Sequence, residues 1–107
     1  MSEILITLPD QGHTVEVSKG DVIIIRLEEN ITTGYGWEIG MIDSSIIELL
    51  DSNYTPTPVT GVGGGGMRTF RFRAKSSGRE HIQLRLRRSW DPADAAIERF
   101  EVTVQVQ

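Results

Sequence analysis

In three stretches of the second half of this chain, apolar and polar side chains alternate one for one. Phe70, Phe72 and Ala74 are separated by Arg71 and Arg73; Ile82, Leu84 and Leu86 by Gln83 and Arg85; Phe100, Val102, Val104 and Val106 by Glu101, Thr103 and Gln105. A period of two sends successive side chains to opposite faces of a strand, so each stretch is a strand with one face in a core and the other in water. The first half carries shorter runs of the same kind, bounded by turn residues. Residues 4–8 are stopped by Pro9-Asp10-Gln11-Gly12, and residues 13–17 by Lys19-Gly20-Asp21. Residues 22–27 are almost all β-branched or apolar, as in a strand central to a sandwich, and residues 35–39 place Tyr35, Trp37 and Ile39 on one side. Only residues 43–50, opening on the potential N-cap Asp43, resemble a helix, and that run is too short to be stable alone. Seven or eight short strands in 107 residues predict one all-β sandwich spanning 1–107, with no βαβ units and no linker.

Composition then removes most enzyme chemistry. The chain has no Cys and only two His, His13 and His81. Disulfides, a thiol nucleophile, iron–sulfur clusters and thiolate zinc sites are therefore excluded. His13 and His81 fall on strand patterns with no nucleophile partner, so neither an enzyme, nor a cofactor, nor a metal site is expected. The formal charge is -4, unevenly spread: the first 66 residues are strongly acidic, and most bases lie between Arg68 and Arg88. A basic segment can mark nucleic-acid binding. On a chain that is acidic overall, pairing with carboxylates such as Glu28, Glu38 or Glu101 is the simpler account, and no nucleic-acid partner is expected. If residues 67–74 and 80–88 formed one hairpin, rows of arginines would face each other. A crossing between the two sheets avoids that repulsion.

The loops carry the remaining information. Eight of the 11 glycines fall in residues 34–40 and 61–66. The first of these segments belongs to Asn30-Ile31-Thr32-Thr33-Gly34-Tyr35-Gly36-Trp37. It reads as a turn in which Asn30 begins the bend, Gly34 takes a positive φ and the two aromatics enter the core. The two threonines at its tip make it stiff and weakly polar. The second segment, Gly61-Val62-Gly63-Gly64-Gly65-Gly66, matches G-x-G-x-x-G in form only: Pro56 and Pro58 precede it and a strand pattern follows it, so no helix N-terminus meets a phosphate. It is either a flexible loop or a bare backbone surface for close contact. In the third, Arg88-Ser89-Trp90-Asp91-Pro92, Trp90 stands just past a strand end without apolar neighbours on its C-terminal side. An exposed Trp beside Arg has the composition of a binding hot spot. In an immunoglobulin-like sandwich, the loops after the second, the fourth or fifth, and the sixth strands gather at one end. Loops 30–35, 61–66 and 88–92 have that spacing and predict a three-part wedge.

These motifs resemble the chagasin-type inhibitors of papain-like cysteine peptidases along nearly the whole chain. The first loop of that family reads N-P-T-T-G-[YF]-x-W, and Asn30–Trp37 matches it with Ile31 in place of the proline. Its second carries G-x-G-G, matched by Gly61-Val62-Gly63-Gly64. Its third reads R-P-W, where this chain has Arg88-Ser89-Trp90. Losing each proline removes up to about 1 kcal/mol of preorganisation. The resemblance implies an immunoglobulin-like fold and tight, reversible, non-covalent inhibition of cathepsin-type peptidases by a monomer without catalytic residues. It implies that Thr32, Thr33 and Gly34, flanked by Asn30 and Tyr35, sit over the peptidase's catalytic cysteine and histidine. Gly61, Gly63, Gly64 and Gly65 would lie along the non-primed side. Trp90 would pack on the primed side, with Arg88 supplying polar contacts or holding the loop.

The competing reading is a non-catalytic carbohydrate- or protein-binding sandwich, in which Trp90 and Tyr54 stack on a ligand and the Thr-Thr-Gly tip has no use. The N-terminus lacks a basic region and an apolar run, so no signal peptide and no membrane contact are expected, and the location reads as cytoplasmic unless a leader has been removed. Asn30-Ile31-Thr32 and Asn53-Tyr54-Thr55 are glycosylation sequons. A glycan on Asn30 would obstruct the first loop, which agrees with a cytoplasmic or prokaryotic setting.

Overall fold

The computed structural model describes residues 2–56 and 65–107. Among the described residues, eight strands form two four-stranded sheets: β1 (Glu3–Ile6), β2 (Thr14–Val17), β3 (Val22–Asn30), β4 (Tyr35–Ile39), β5 (Ile47–Pro56), β6 (Gly65–Ala74), β7 (Gly78–Arg88) and β8 (Glu98–Val106). One sheet has the order β1-β3-β6-β5 and the other β2-β8-β7-β4. All pairs are antiparallel except β1 with β3 and β2 with β8, which are parallel. The N-terminal segment thus lends one short strand to each sheet and closes the side of the sandwich. For that reason the first and third loops follow the third and seventh strands, each one place later than in the immunoglobulin-like count, while the second follows the fifth.

The alternation read from the sequence sets the core. Phe70, Phe72 and Ala74 meet Ile82, Leu84, Phe100, Val102, Val104 and Val106 between the sheets, with Ile23, Ile25 and Leu27 from β3. Each of these side chains larger than Ala contributes about 1.5–3 kcal/mol on burial. The two arginine-rich strands lie in different sheets, β6 in one and β7 in the other, so their charges do not line up. Carboxylates answer them locally: Arg71 pairs with Asp51, and Arg85 and Arg87 both pair with Glu38.

The helical expectation for residues 43–50 is not met. Asp43 does start a turn, accepting hydrogen bonds from the Ser45 amide and hydroxyl on its carboxylate and from the Ile46 amide on its carbonyl. From Ile47 the chain runs on as the ten-residue edge strand β5. The β-branched pair Ile46-Ile47 favours the strand, and a register shift between Leu49 and Asp51 hides its alternation.

At the end away from the loops, the Asp21 carboxylate accepts from the Ser2 and Ser18 amides at 3.0 and 2.9 Å. The Ser18 amide and then that of Ser2 hold the Asp21 carboxyl below its ordinary range. The Gln107 amide donates to the Val17 carbonyl at 2.8 Å. Ser2 and Gln107 therefore meet beside this turn.

Candidate functional site

Strand register alone brings the loops together. Asn30, the last residue of β3, pairs with Gly65, the first of β6; Tyr35, the first of β4, pairs with Arg88, the last of β7. The first loop is thus flanked by the stem of the second on one side and of the third on the other. Gly61, Gly63 and Gly64 lie outside the described residues. Gly65 is half-buried at the foot of that loop.

The first loop is a 3-10 turn, Ile31–Thr33, capped by Asn30. The Asn30 side-chain oxygen accepts from the Thr32 amide (3.0 Å) and the Thr32 hydroxyl (2.7 Å). The Thr33 hydroxyl donates to the Asn30 carbonyl at 2.7 Å and accepts from the Tyr35 amide at 3.2 Å. Asn30, Thr32 and Thr33 therefore form a closed box, which supplies rigidity at the point where Ile31 replaces a ring-constrained proline. Because the Thr32 proton is engaged, its outward oxygen can only accept. Gly34 ends the turn at φ 80, in the left-handed region that favours glycine. Thr32 and Thr33 are exposed at the tip; Tyr35 is half-buried.

The third loop is held by charge and by aromatic rings. The Arg88 guanidinium lies 4.8 Å from the centre of the Tyr35 ring and 5.7 Å from that of Trp90, and its Nε donates to Asp91 at 2.9 Å. Arg87 donates to the carbonyls of Arg88 and Asp91 while pairing with Glu38. The Arg87 guanidinium first, then that of Arg85, holds the Glu38 carboxyl below the usual carboxylate range. Arg88 thus holds the third loop through ring and carboxylate contacts. Trp90 is 68% exposed, as its sequence context predicts. Its ring edge approaches Gly34 so closely that a β-carbon there would lie 2.7 Å from Cη2. The first and third loops touch at that point.

Sequence reasoning missed a buried carboxylate, Glu29, and its half-buried partner Arg68 beneath the loops. The Glu29 side chain is 1% exposed. One of its oxygens accepts from the Trp37 amide at 2.7 Å, and the other from Arg68 Nε and Nη2 at 3.1 and 2.8 Å. Glu28, one of the three carboxylates named as candidate partners, is exposed; its carbonyl instead accepts from the Trp37 ring nitrogen at 2.9 Å. The signal was available in the phase of the alternation: Glu29 follows Ile23, Ile25 and Leu27 on the inward face of β3, and Arg68 precedes Phe70 and Phe72 on that of β6.

Residues 16–104 match the family described as "Chagasin family peptidase inhibitor I42". Chagasin of Trypanosoma cruzi is 30% identical over 101 residues, covering 91% of this chain and 92% of that protein. In fold, the chain is similar to the crystal structure of the cysteine protease inhibitor EhICP2 from Entamoeba histolytica, with a TM-score of 0.88 and 23% identity over 99% of this chain and 96% of that one. It is also similar to PbICP-C, solved in complex with falcipain-2, with a TM-score of 0.70 and 20% identity over 98% and 89% of the two chains.

Proposed function

Because the chain belongs to the chagasin family of peptidase inhibitors, we propose that it blocks papain-like cysteine peptidases by seating its three-loop end in the active-site cleft. It is an inhibitor and not an enzyme. Falcipain-2, the partner of the related PbICP-C, is a peptidase of this papain-like kind. The observation that carries the loop assignment is the preformed first loop. Its tip is fixed by four internal hydrogen bonds before any partner arrives.

Such a tip avoids ordering costs of about 0.5–1.5 kcal/mol per immobilised side chain on binding. Thr32, Thr33 and Gly34 enter over the catalytic cysteine and histidine. A 3-10 turn closed by a left-handed glycine withholds the extended backbone that a cleft pairs with, so no peptide bond is offered for attack. Trp90 packs on one flank as the aromatic anchor. The glycine segment that includes Gly61, Gly63, Gly64 and Gly65 lies along the other.

Carbohydrate stacking on Trp90 is the weaker reading, since the edge of that ring is committed to Gly34 and Arg88 sits over it. Titrating active-site-counted papain with the purified protein tests the proposal. Stoichiometric, reversible loss of activity that changes little with salt is expected. No inhibition at micromolar protein overturns it.

A further inference from the structure

The pair of buried Glu29 and half-buried Arg68 lies outside the three loops, yet it joins their stems. Glu29 sits one residue before the first loop, on β3. The amide it binds, that of Trp37, lies on β4 beyond the other leg of the same loop. Arg68, which grips the second Glu29 oxygen with two nitrogens, stands on β6 three residues after Gly65. The pair thus ties both legs of the first loop to the stem of the second, across the gap between the two sheets.

Its surroundings are built to keep it in place. The Arg68 guanidinium lies 5.6 Å from the centre of the Tyr54 ring on β5, and Nη1 donates to the Ser52 hydroxyl at 3.3 Å. Tyr54 in turn packs against Gly66, where a β-carbon would lie 2.6 Å from the ring and 2.5 Å from the Thr55 carbonyl. A planar, two-pronged guanidinium fixes a carboxylate in direction as well as distance. Stability alone is a poor reason for such a pair, because apolar replacements of a desolvated ion pair are often neutral or stabilising. A charged pair set on the inward face of two strands, where the alternation calls for apolar residues, therefore needs another reason.

We propose that Glu29 and Arg68 are positioning residues for inhibition: they fix the first loop relative to the foot of the second, so that both enter one cleft together. This rests on the inhibitory reading above. Neither side chain touches the peptidase; both act through the backbone that carries Asn30–Gly34 and Gly65–Gly66.

The test is the double variant Glu29→Gln/Arg68→Met. It keeps an acceptor for the Trp37 amide and leaves no unpaired charge. Its thermal midpoint is expected within a few degrees of wild type while its inhibition constant for papain rises roughly tenfold. In a Thr32→Ala background the same double change should cost visibly less, since the tip it positions has already been blunted. An inhibition constant within twofold of wild type at matched stability overturns the proposal.

Arg68→Lys keeps the charge and loses the two-pronged grip, and it decides the matter if the double variant does not fold. Faster amide exchange at residues 31–34, with threefold or more weaker inhibition, supports positioning; wild-type exchange and inhibition refute it. Should the wild-type protein itself fail to inhibit papain, the functional reading falls. The exchange comparison still reports whether the pair orders the loop.

Discussion

Two tryptophans stand at the loop end of this molecule and do opposite things. Trp37 follows the first loop and is 8% exposed; Trp90 forms the third and is 68% exposed. Trp37 sits at an inward position of β4, and its ring nitrogen and backbone amide both find acceptors on the end of β3. Trp90 stands beyond the last residue of β7, on a turn closed by the Asp91 amide and the Arg88 carbonyl. The first loop is locked by neutral hydrogen bonds around Asn30, the third by guanidinium groups, a carboxylate and two rings. The loop end thus combines a tip closed by neutral hydrogen bonds with a neighbour held by charged groups and rings.

The contrast can be broken at several points. Removing the buried ring should have the largest effect: Trp37→Ala is expected to lower stability by about 3–5 kcal/mol, seen as a collapse of the thermal midpoint. Trp90→Ala should leave that midpoint in place and cost at least about 2 kcal/mol of binding, roughly thirtyfold in the inhibition constant. If both variants lost stability equally, the division of labour would be wrong.

Gly34→Ala probes the contact between the two loops. The left-handed backbone costs a β-carbon about 1–2 kcal/mol, and the approach to Trp90 adds a clash. In a Trp90→Ala background the clash disappears, so a stability loss no smaller there than in wild type would refute the contact.

The smallest effect concerns pH. The Glu38 carboxyl is held low in the folded state by Arg87 and then Arg85. Its contribution is therefore present at neutral pH and lost as pH falls through its folded value, below the ordinary carboxylate range of about 4.3. Melting curves of wild type and Glu38→Gln should differ by less than about 1 kcal/mol at pH 7 and converge in acid. A gap that widened toward acid would reverse the sign and sink the assignment.

Much of this was legible in the chain because it is local. The inward faces of β6, β7 and β8 follow from a period of two, the left-handed Gly34 follows from its place in a turn, and the exposure of Trp90 follows from its missing apolar neighbours. Residues that depend on register were not legible. That Arg88 would lie between the rings of Tyr35 and Trp90 requires knowing that Tyr35 and Arg88 pair across β4 and β7. Strand β5 was hidden by the Asx turn at Asp43 and by the register shift after Leu49, which breaks the alternation that revealed its neighbours. The Glu29–Arg68 pair lay between these cases: the phase was visible, but the pairing needed the structure.

The parallel seating of β1 and β2 has a further consequence, for how the protein can be attached to other things. Because β1 runs alongside β3 and β8 runs down beside β2, Ser2 and Gln107 both lie at the Ser18–Asp21 turn, a full strand length from Thr32 and Trp90. A bead, a label, a second copy or a carrier domain joined at either terminus would leave the loop end pointing outward and unobstructed. The fold is thereby a natural head for tandem or surface-immobilised arrangements, in which linker length can be chosen without regard to the cleft.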